Sequence, residues 1–190
     1  MDGDARLRQE PIDSRRLMRG PVFSVRRDGV RLPDGRRVQR DVVDHPGAVV
    51  IAPLLDDGDL LFVRQYRYAA GEVLIEFPAG TLEPGEAPAE TAARELREEC
   101  GLQAGRLEPL GAFYSAPGFC TELLHAFAAR ELTPAPLEPD ADEQIETVRM
   151  SLSQALDLAA GGGLRDAKTL AVLLLLQRAS IAAPRPPVLS

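Results

Sequence analysis

The stretch Gly80–Leu102, GTLEPGEAPAETAARELREECGL, contains the pattern that decides the fold. It predicts a helix over Pro88–Cys100, because a proline stands at the first position and a glycine follows the last. At about 100° per residue, Glu95, Glu98 and Glu99 fall within an arc of about 100° on one side of that helix. Like charges at this spacing repel, and two of them lie near the helix C-terminus, where the dipole disfavours anions. The pattern therefore indicates either a solvated acidic face or a site for a cation.

The apolar residues of this helix predict which side packs on a sheet. Ala89, Ala93, Leu96 and Cys100 form a stripe beside the glutamates, and we expect this stripe to face the sheet. A hard divalent cation such as Mg²⁺ or Mn²⁺ prefers carboxylate oxygens and would remove the repulsion among the glutamates.

The spacing across the stretch resembles the Nudix box, G-x5-E-x7-R-E-U-x-E-E-x-G-U, in which U is aliphatic. The residues at its fixed positions are Gly80, Glu86, Arg94, Glu95, Leu96, Glu98, Glu99, Gly101 and Leu102. The resemblance implies an α/β protein with the Nudix α/β/α sandwich and a mixed sheet. It also implies hydrolysis of a nucleoside diphosphate derivative with Mg²⁺ or Mn²⁺, through two or three ions.

The same resemblance implies roles for individual residues. Metal ions would be held by the carboxylates of Glu95, Glu98 and Glu99 and by the backbone carbonyl of Ala79, and Glu98 is also counted among the catalytic residues. Structural roles within the motif fall to four residues: Gly80, Glu86, Arg94 and Gly101. Of these, Glu86 is expected to order the segment before the helix by pairing with Arg94.

The sequences on both sides of the box resemble the ADP-ribose pyrophosphatase branch of the family. They are VRQYRYAAGEVLIEFPAG upstream and FYSAPGFCTE downstream, with HPGAVVIAP from His45 and DADEQIETVRMSL from Asp140. Pro117 stands fifteen residues after Leu102, where that branch has its marker proline. The resemblance covers roughly residues 20–180 and implies conversion of ADP-ribose and water to AMP and ribose 5-phosphate. Two alternatives remain: another substrate such as GDP-mannose, FAD or NADH, and a non-catalytic sensor that binds ADP-ribose.

Four residues outside the box are candidates for substrate binding. Pro117 and Gly118 predict a tight turn between two strands, which by resemblance lines the ribose end of the pocket. Arg67 is implied to contact the phosphate or adenine side, and the alternative interpretation is a solvated arginine at a strand end. Enzymes of the branch that it resembles are commonly dimers, which implies that Arg40 reaches the pocket of a partner subunit, and the alternative is that it only keeps an exposed strand edge soluble.

The candidate for the general base lies in the acidic segment PDADEQIE. The branch often places a glutamate of a mobile loop in this role, which indicates Glu143, with Asp142 as its rival. Ala141 occupies a position where the branch often has a further glutamate.

The chain is expected to divide into three parts. Residues 1–45 form a tail and a small antiparallel β element that is a possible dimerisation element, with residues 1–20 loosely ordered and turns at Asp28-Gly29 and Asp34-Gly35. Residues 46–182 form the catalytic domain, and residues 183–190 form a disordered proline-rich tail. The small β element has too little core of its own, which favours a homodimer.

Within the catalytic domain, a turn at Asp56-Asp57-Gly58 joins two strands. Further strands are predicted at Val73–Phe77, Leu107–Tyr114, Leu123–Ala129 and Gln144–Met150. A second helix is predicted to begin at Ser151 with a capping box to Gln154. A third helix is predicted over Asp166–Ala179, with Asp166 as its N-cap.

Composition and charge restrict the class of protein. The 190 residues carry a formal net charge of −7, which argues against a nucleic-acid partner. The two cysteines form no disulfide framework, and no stretch is apolar for long enough to span a membrane. We therefore expect a soluble cytoplasmic protein with no membrane or nucleic-acid partner.

Overall fold

The computed structural model describes residues 6–138 and 144–182, and this part of the chain contains ten strands and three helices. The strands are β1 Glu10–Arg19, β2 Ser24–Arg31, β3 Arg37–Asp44, β4 Ala48–Pro53, β5 Leu60–Arg67, β6 Glu72–Glu76, β7 Ala79–Thr81, β8 Leu102–Tyr114, β9 Leu123–Pro134 and β10 Ile145–Met150. The helices are α1 Pro88–Cys100, α2 Leu152–Ala160 and α3 Ala167–Ala182. The predicted tail 183–190 lies outside the described residues.

The first of two compact units consists of residues 6–47 and Tyr114–Leu123. Its three strands form an antiparallel sheet in the order β1-β2-β3. The expectation that residues 1–20 are loosely ordered is wrong from Glu10 onward, because Glu10–Arg19 is a strand. Every residue of β1 is exposed, so this strand lacks the apolar alternation that marks a half-buried strand in a sequence. Backbone pairing with β2 forms it instead.

The predicted turn at Asp28-Gly29 is also wrong, because both residues lie in the middle of β2. Gly29 donates its N–H to Asp13 Oδ1 at 3.2 Å, and a Cβ at this position would lie 2.6 Å from the same oxygen. The glycine therefore allows a close approach by β1 and does not make a turn. The predicted turn at Asp34-Gly35 is confirmed, with Gly35 in the left-handed region at φ 86°.

The second unit consists of residues 48–113 and 124–182 and has two sheets, β10-β5-β6 and β7-β4-β9-β8. The latter is mixed, because β4 pairs parallel with β9 and antiparallel with β7. β4 is buried along its whole length and supplies alternate residues to two cores. Val49 and Ile51 pack with the apolar residues of α1, whereas Val50 and Ala52 pack with those of α2 and α3. Helices on both sides of β4 confirm the α/β/α sandwich.

The ends of the helices follow the local sequence. Ser151 and Gln154 form the predicted capping box of α2, and Asp166 Oδ2 accepts the N–H of Thr169 at 2.9 Å at the start of α3. The helix α3 continues to Ala182, three residues beyond the predicted end. β8 begins at Leu102, earlier than predicted, because Gly101 turns the chain directly out of α1. None of the helices in the described ranges is long and apolar enough to cross a bilayer.

Candidate active site

Local interactions at both ends fix the helix α1. Glu90 Oε2 accepts the N–H of Ala87 at 2.9 Å, which satisfies a backbone donor just before Pro88 opens the helix. At the other end Gly101 adopts the left-handed conformation, φ 67°, and donates its N–H to the carbonyl of Arg97 at 3.1 Å. The predicted bounds Pro88–Cys100 are therefore confirmed.

The acidic side of α1 is turned into the protein. Glu95 and Glu99 are only 8% and 6% exposed, beside the fully buried Ala92 and Leu96. The predicted apolar stripe is wrong for Ala89 and Ala93, which are exposed, because the buried face is rotated toward the glutamates. A solvated acidic face is therefore excluded as the explanation of Glu95 and Glu99.

The short strand β7 contacts both buried carboxylates. A Cβ on Gly80 would lie 1.9 Å from Cδ of Glu95, so only glycine leaves room for that side chain. The neighbouring residue Ala79 donates its N–H to Glu99 Oε2 at 3.0 Å. The N-terminal end of the motif thus forms a cradle for the glutamates near its C-terminal end.

One guanidinium group contacts three carboxylates of the motif. Arg94 Nη1 donates to Glu95 Oε1 at 2.6 Å and to Glu98 Oε2 at 2.9 Å. Its Nε and Nη2 donate to the two oxygens of Glu86, both at 3.1 Å, which is the pair expected from the sequence. The hydrogen bond with Glu86 raises the pKa of Arg94 above the ordinary value of an arginine. The same bond holds the pKa of Glu86 below the ordinary value of a glutamate. This group, the box cluster, consists of Glu86, Arg94, Glu95 and Glu98 and has two negative charges in excess.

The chemistry of these donors fits a hard divalent cation. The carboxylate oxygens lie in a partly buried region with excess negative charge. Carboxylate and backbone carbonyl oxygens are ligands that Mg²⁺ and Mn²⁺ prefer. Within residues 6–138 and 144–182, no three acidic, histidine or cysteine side chains converge into a ready-made metal cluster. Glu95 and Glu98 instead point to Arg94, and Glu99 points to the N–H of Ala79. The residues are therefore candidates for a metal centre by the type and charge of their donors, and their present arrangement does not by itself make one.

A second group of charges, the anchor cluster, consists of Arg67, Glu76, Asp166 and Lys168. Glu76 is 1% exposed and accepts from Arg67 Nε at 2.9 Å and from Arg67 Nη2 at 2.7 Å. Lys168 Nζ donates to Glu76 Oε2 at 2.5 Å and lies 2.9 Å from Asp166 Oδ1. Burial favours a higher pKa for Glu76, but the hydrogen bonds and charges of Arg67 and Lys168 outweigh it and hold the pKa below its ordinary value.

Sequence reasoning missed most of the anchor cluster. It identified Arg67 as a substrate ligand and Asp166 only as a helix cap, and it did not identify Glu76 or Lys168. Two signals were available: Lys168 is the single lysine among 22 basic residues, and Glu76 is the one charge in the run VLIEF. A lone charge in an apolar run indicates a buried pair.

The remaining predicted site residues lie elsewhere. Pro117 and Gly118 are exposed in the first compact unit, in the predicted turn, which the N–H groups of Phe119 and Cys120 close onto the Ala116 carbonyl. Arg40 is exposed on β3 and donates to the carbonyl of Gln39 at 3.3 Å. Glu143 and its rival Asp142 lie outside the described residues.

Comparison with known proteins agrees with this geometry. The NUDIX domain family matches residues 44–179. The chain is 38% identical to the ADP-ribose pyrophosphatase of Bacillus subtilis strain 168, over 90% of this chain and 94% of that protein. It is 48% identical to the ADP-ribose pyrophosphatase of Mycobacterium tuberculosis H37Rv, over 65% of this chain and 60% of that protein. A crystal structure of an ADP compounds hydrolase superposes with a TM-score of 0.80 and 26% identity, covering 90% of this chain and 92% of that one.

These matches cover most of the chain and include the helix that carries the buried glutamates. The protein therefore belongs to the Nudix family, and the resemblance found in the sequence is confirmed. It is an enzyme, a Nudix hydrolase of the type that includes the ADP-ribose pyrophosphatases.

Proposed function

We propose that this protein hydrolyses the diphosphate bond of ADP-ribose to give AMP and ribose 5-phosphate, with Mg²⁺ or Mn²⁺ as cofactor. The observation that carries the proposal is the burial of Glu95 and Glu99 against β7 next to a cluster with excess negative charge. The names of the two ADP-ribose pyrophosphatases among its relatives support the choice of substrate.

The box glutamates would hold the metal. Glu95, Glu98 and Glu99, with the carbonyl of Ala79, would bind two or three ions. A bound divalent cation neutralises charge on the diphosphate and makes a water molecule more acidic. The protein's own contribution is positioning: the N–H of Ala79 orients Glu99, and the missing side chain of Gly80 admits Glu95.

Arg67 is suited to the diphosphate of the substrate. Glu76 holds the guanidinium plane through Nε and Nη2, and 40% of the side chain is exposed. The pair with Glu76 does not use Nη1, so Nη1 can donate to a diphosphate oxygen without breaking the pair. A planar group with a permanent charge suits such an oxygen. Pro117 and Gly118 are proposed for the ribose end.

The general base is proposed to be Glu143, with Asp142 as the rival. Both are acidic residues of a segment that follows β9 in the sequence. Replacing Glu143 with Gln is expected to lower kcat by roughly 10²–10⁴-fold with little change in KM, the usual scale for general acid–base catalysis. If Asp142→Asn loses kcat by this factor and Glu143→Gln keeps full kcat, Asp142 is the general base.

We also propose a homodimer through the N-terminal sheet, with Arg40 directed toward the partner's substrate. All of β1 is exposed, and Met18 and Phe23 are 46% and 41% exposed, which is apolar surface that a second copy could cover. The variant Met18→Glu/Phe23→Glu should sediment as a monomer at concentrations at which the unmodified protein is a dimer. Sedimentation of the two proteins as the same species would contradict the proposal. The expected cytoplasmic location rests on the sequence alone.

The substrate and the cofactor are tested in one experiment. Product release is measured for ADP-ribose, GDP-mannose, FAD and NADH, with Mg²⁺, with Mn²⁺ and with a chelator. We expect kcat/KM for ADP-ribose to exceed the others by at least about tenfold, or about 1.4 kcal/mol, and activity to vanish in the chelator. Equal turnover of another compound would assign a different substrate. Binding of ADP-ribose without turnover under every metal condition would indicate a sensor.

A further inference from the structure

The hydroxyl group of Thr169 connects α3 to the strand segment before the Nudix box. Thr169 is fully buried, and its Oγ1 donates to Asp166 Oδ2 at 2.6 Å. The same oxygen accepts the N–H of Phe77 at 2.8 Å. A hydroxyl has a single hydrogen to donate, so these two bonds fix its orientation.

The segment Glu76–Ala79 is held by three different elements. α3 binds it at Glu76 and Phe77, and β4 binds it through the N–H of Ile51, which donates to the Pro78 carbonyl at 2.8 Å. α1 binds it where Ala79 donates to Glu99. A shift of Phe77 would therefore also move Ala79, two residues later. Because the N–H of Ala79 donates to Glu99, it would change the orientation of the Glu99 carboxylate as well.

Lys168 lies in the same first turn of α3, but its charge is already balanced. It contacts the carboxylates of both Glu76 and Asp166, and its side chain is 15% exposed. Both partners of Lys168 are carboxylates, so its charge is compensated within the protein, and of the two cations only the more exposed Arg67 is left to meet a diphosphate. The arrangement fits support of Arg67 and of the strand better than contact with substrate.

We propose that the first turn of α3 is a positioning element for the reaction, an inference that rests on the proposed function. Thr169 holds the segment that presents Ala79, and thereby orients Glu99. Lys168 shares Glu76 with Arg67, and thereby sets the direction of the Arg67 guanidinium. Neither residue contacts substrate.

Amide hydrogen exchange of the metal-free protein tests the Thr169 step without any activity. The variant is Thr169→Val, which keeps the shape and removes the hydroxyl, and the matched control is Thr169→Ser, which keeps it. In Thr169→Val we expect at least about tenfold faster exchange at Ala79 as well as at Phe77. The Val43 amide serves as an internal reference, because it donates to the Phe119 carbonyl within the first compact unit. Its exchange rate should not change. Faster exchange at Phe77 with an unchanged Ala79 would overturn the proposal.

Metal binding and kinetics give a second readout. Removing a direct hydrogen-bond partner of a metal ligand commonly costs 10–100-fold in affinity or activity. Thr169 acts on Glu99 one step further out, through the segment that carries Ala79, so the lower end of that range is expected. We expect Thr169→Val to weaken Mn²⁺ binding in calorimetry by about tenfold and to lower kcat similarly with KM unchanged, and Thr169→Ser to restore both. A purely structural role would lower the unfolding temperature and leave these values unchanged well below it, which would overturn the proposal.

Lys168 supplies an independent variant in case Thr169→Val does not fold. Lys168→Met should raise KM for ADP-ribose by about tenfold with a smaller change in kcat, since it disturbs Arg67, and Lys168→Arg should restore part of the loss. Unchanged KM in a folded Lys168→Met protein would overturn the role of Lys168. If the unmodified protein does not hydrolyse ADP-ribose, the proposed function fails, but the exchange of Ala79 and the Mn²⁺ affinity still decide the role of Thr169.

Discussion

The box cluster and the anchor cluster are both partly buried groups of charges in the same compact unit, but their balance differs. In the box cluster one guanidinium, Arg94, faces the carboxylates of Glu86, Glu95 and Glu98. In the anchor cluster Arg67 and Lys168 face Glu76 and Asp166, so the charges cancel. The first cluster has the charge that a cation would complete, whereas the second needs nothing further.

Under the proposed function, this difference separates the metal site from the cluster that supports it. Excess charge away from water is costly unless it is neutralised. The excess charge of the box cluster includes the buried Glu95 and lies on the same helix as the buried Glu99, which is the basis on which a cation is proposed to bind there. A balanced cluster instead joins elements, in this case the ends of β5 and β6 with the start of α3.

The largest effect is expected at Glu99. The change Glu99→Gln should lower kcat by about 10³-fold or more, equivalent to about 4 kcal/mol, because it removes a proposed metal ligand. The amide can still accept the N–H of Ala79, so the metal-free fold should be as stable as before. The measurement is kcat at saturating Mg²⁺, together with unfolding in a chelator.

A matched control lies on the same helix. Glu90→Gln makes the same chemical change at an exposed position whose side chain caps the helix start, a role that Gln also fills. We expect it to leave kcat unchanged. If Glu99→Gln is as active as Glu90→Gln, Glu99 is not a metal ligand and the proposed metal site on this side of α1 is wrong.

The second prediction concerns the cation at the centre of the box cluster. Arg94→Met leaves three carboxylates without their shared partner, and breaking a buried pair costs about 3–5 kcal/mol. The Arg94 side chain is 25% exposed, so solvent reduces this, and we expect a loss of about 2–3 kcal/mol in the metal-free protein. Urea unfolding in a chelator measures it.

Arg106→Met serves as the comparison for that loss. The Arg106 side chain is 55% exposed and pairs with Glu108 at 3.1 Å, and exposed pairs contribute little. A loss in Arg94→Met no greater than in Arg106→Met would show that Arg94 does not hold the box together, which would break the contrast between the clusters.

The box cluster was predictable because its signals are local or regularly spaced. The proline and the glycine mark the ends of α1, and the Nudix spacing places the glutamates, Glu86 and Arg94 on one motif. What local pattern could not supply was the rotation of the helix. Apolar residues alone favoured Ala89 and Ala93 as buried, whereas the fit of Glu95 beside Gly80 turns Ala92 inward.

The anchor cluster and the N-terminal strand show why the rest was not predictable. Lys168 and Glu76 lie 92 positions apart in sequence, so only the fold brings them together. β1 is a polar strand whose residues are all exposed. The strand that pairs with it, β2, contains Gly29, which resembles a turn signal in the sequence. In both places tertiary contacts decide the structure and local propensity does not.

The smallest effect is expected from acid, and it compares one carboxylate from each cluster. The pKa values of Glu76 and Glu86 are both lowered in the folded protein. Below the unfolded value, about 4.3 for Glu, the stabilisation by each ionised carboxylate is lost as the pH falls through its folded pKa. Each group therefore adds at most about 1.4 kcal/mol per pH unit to the slope of unfolding free energy against pH.

The variants Glu76→Gln and Glu86→Gln should both make that slope shallower between about pH 5 and pH 3. At pH 7 the cost should be larger for Glu76→Gln, because Arg67 then loses the carboxylate that holds its Nε and Nη2 and Lys168 keeps only Asp166, whereas in Glu86→Gln Arg94 keeps Glu95 and Glu98. Urea unfolding of the metal-free proteins from pH 7 to pH 3 measures both quantities. If Glu86→Gln lowers the free energy of unfolding at pH 7 as much as Glu76→Gln does, the box cluster depends on each carboxylate as strongly as the anchor cluster does. The excess negative charge of the box cluster would then not distinguish the two clusters.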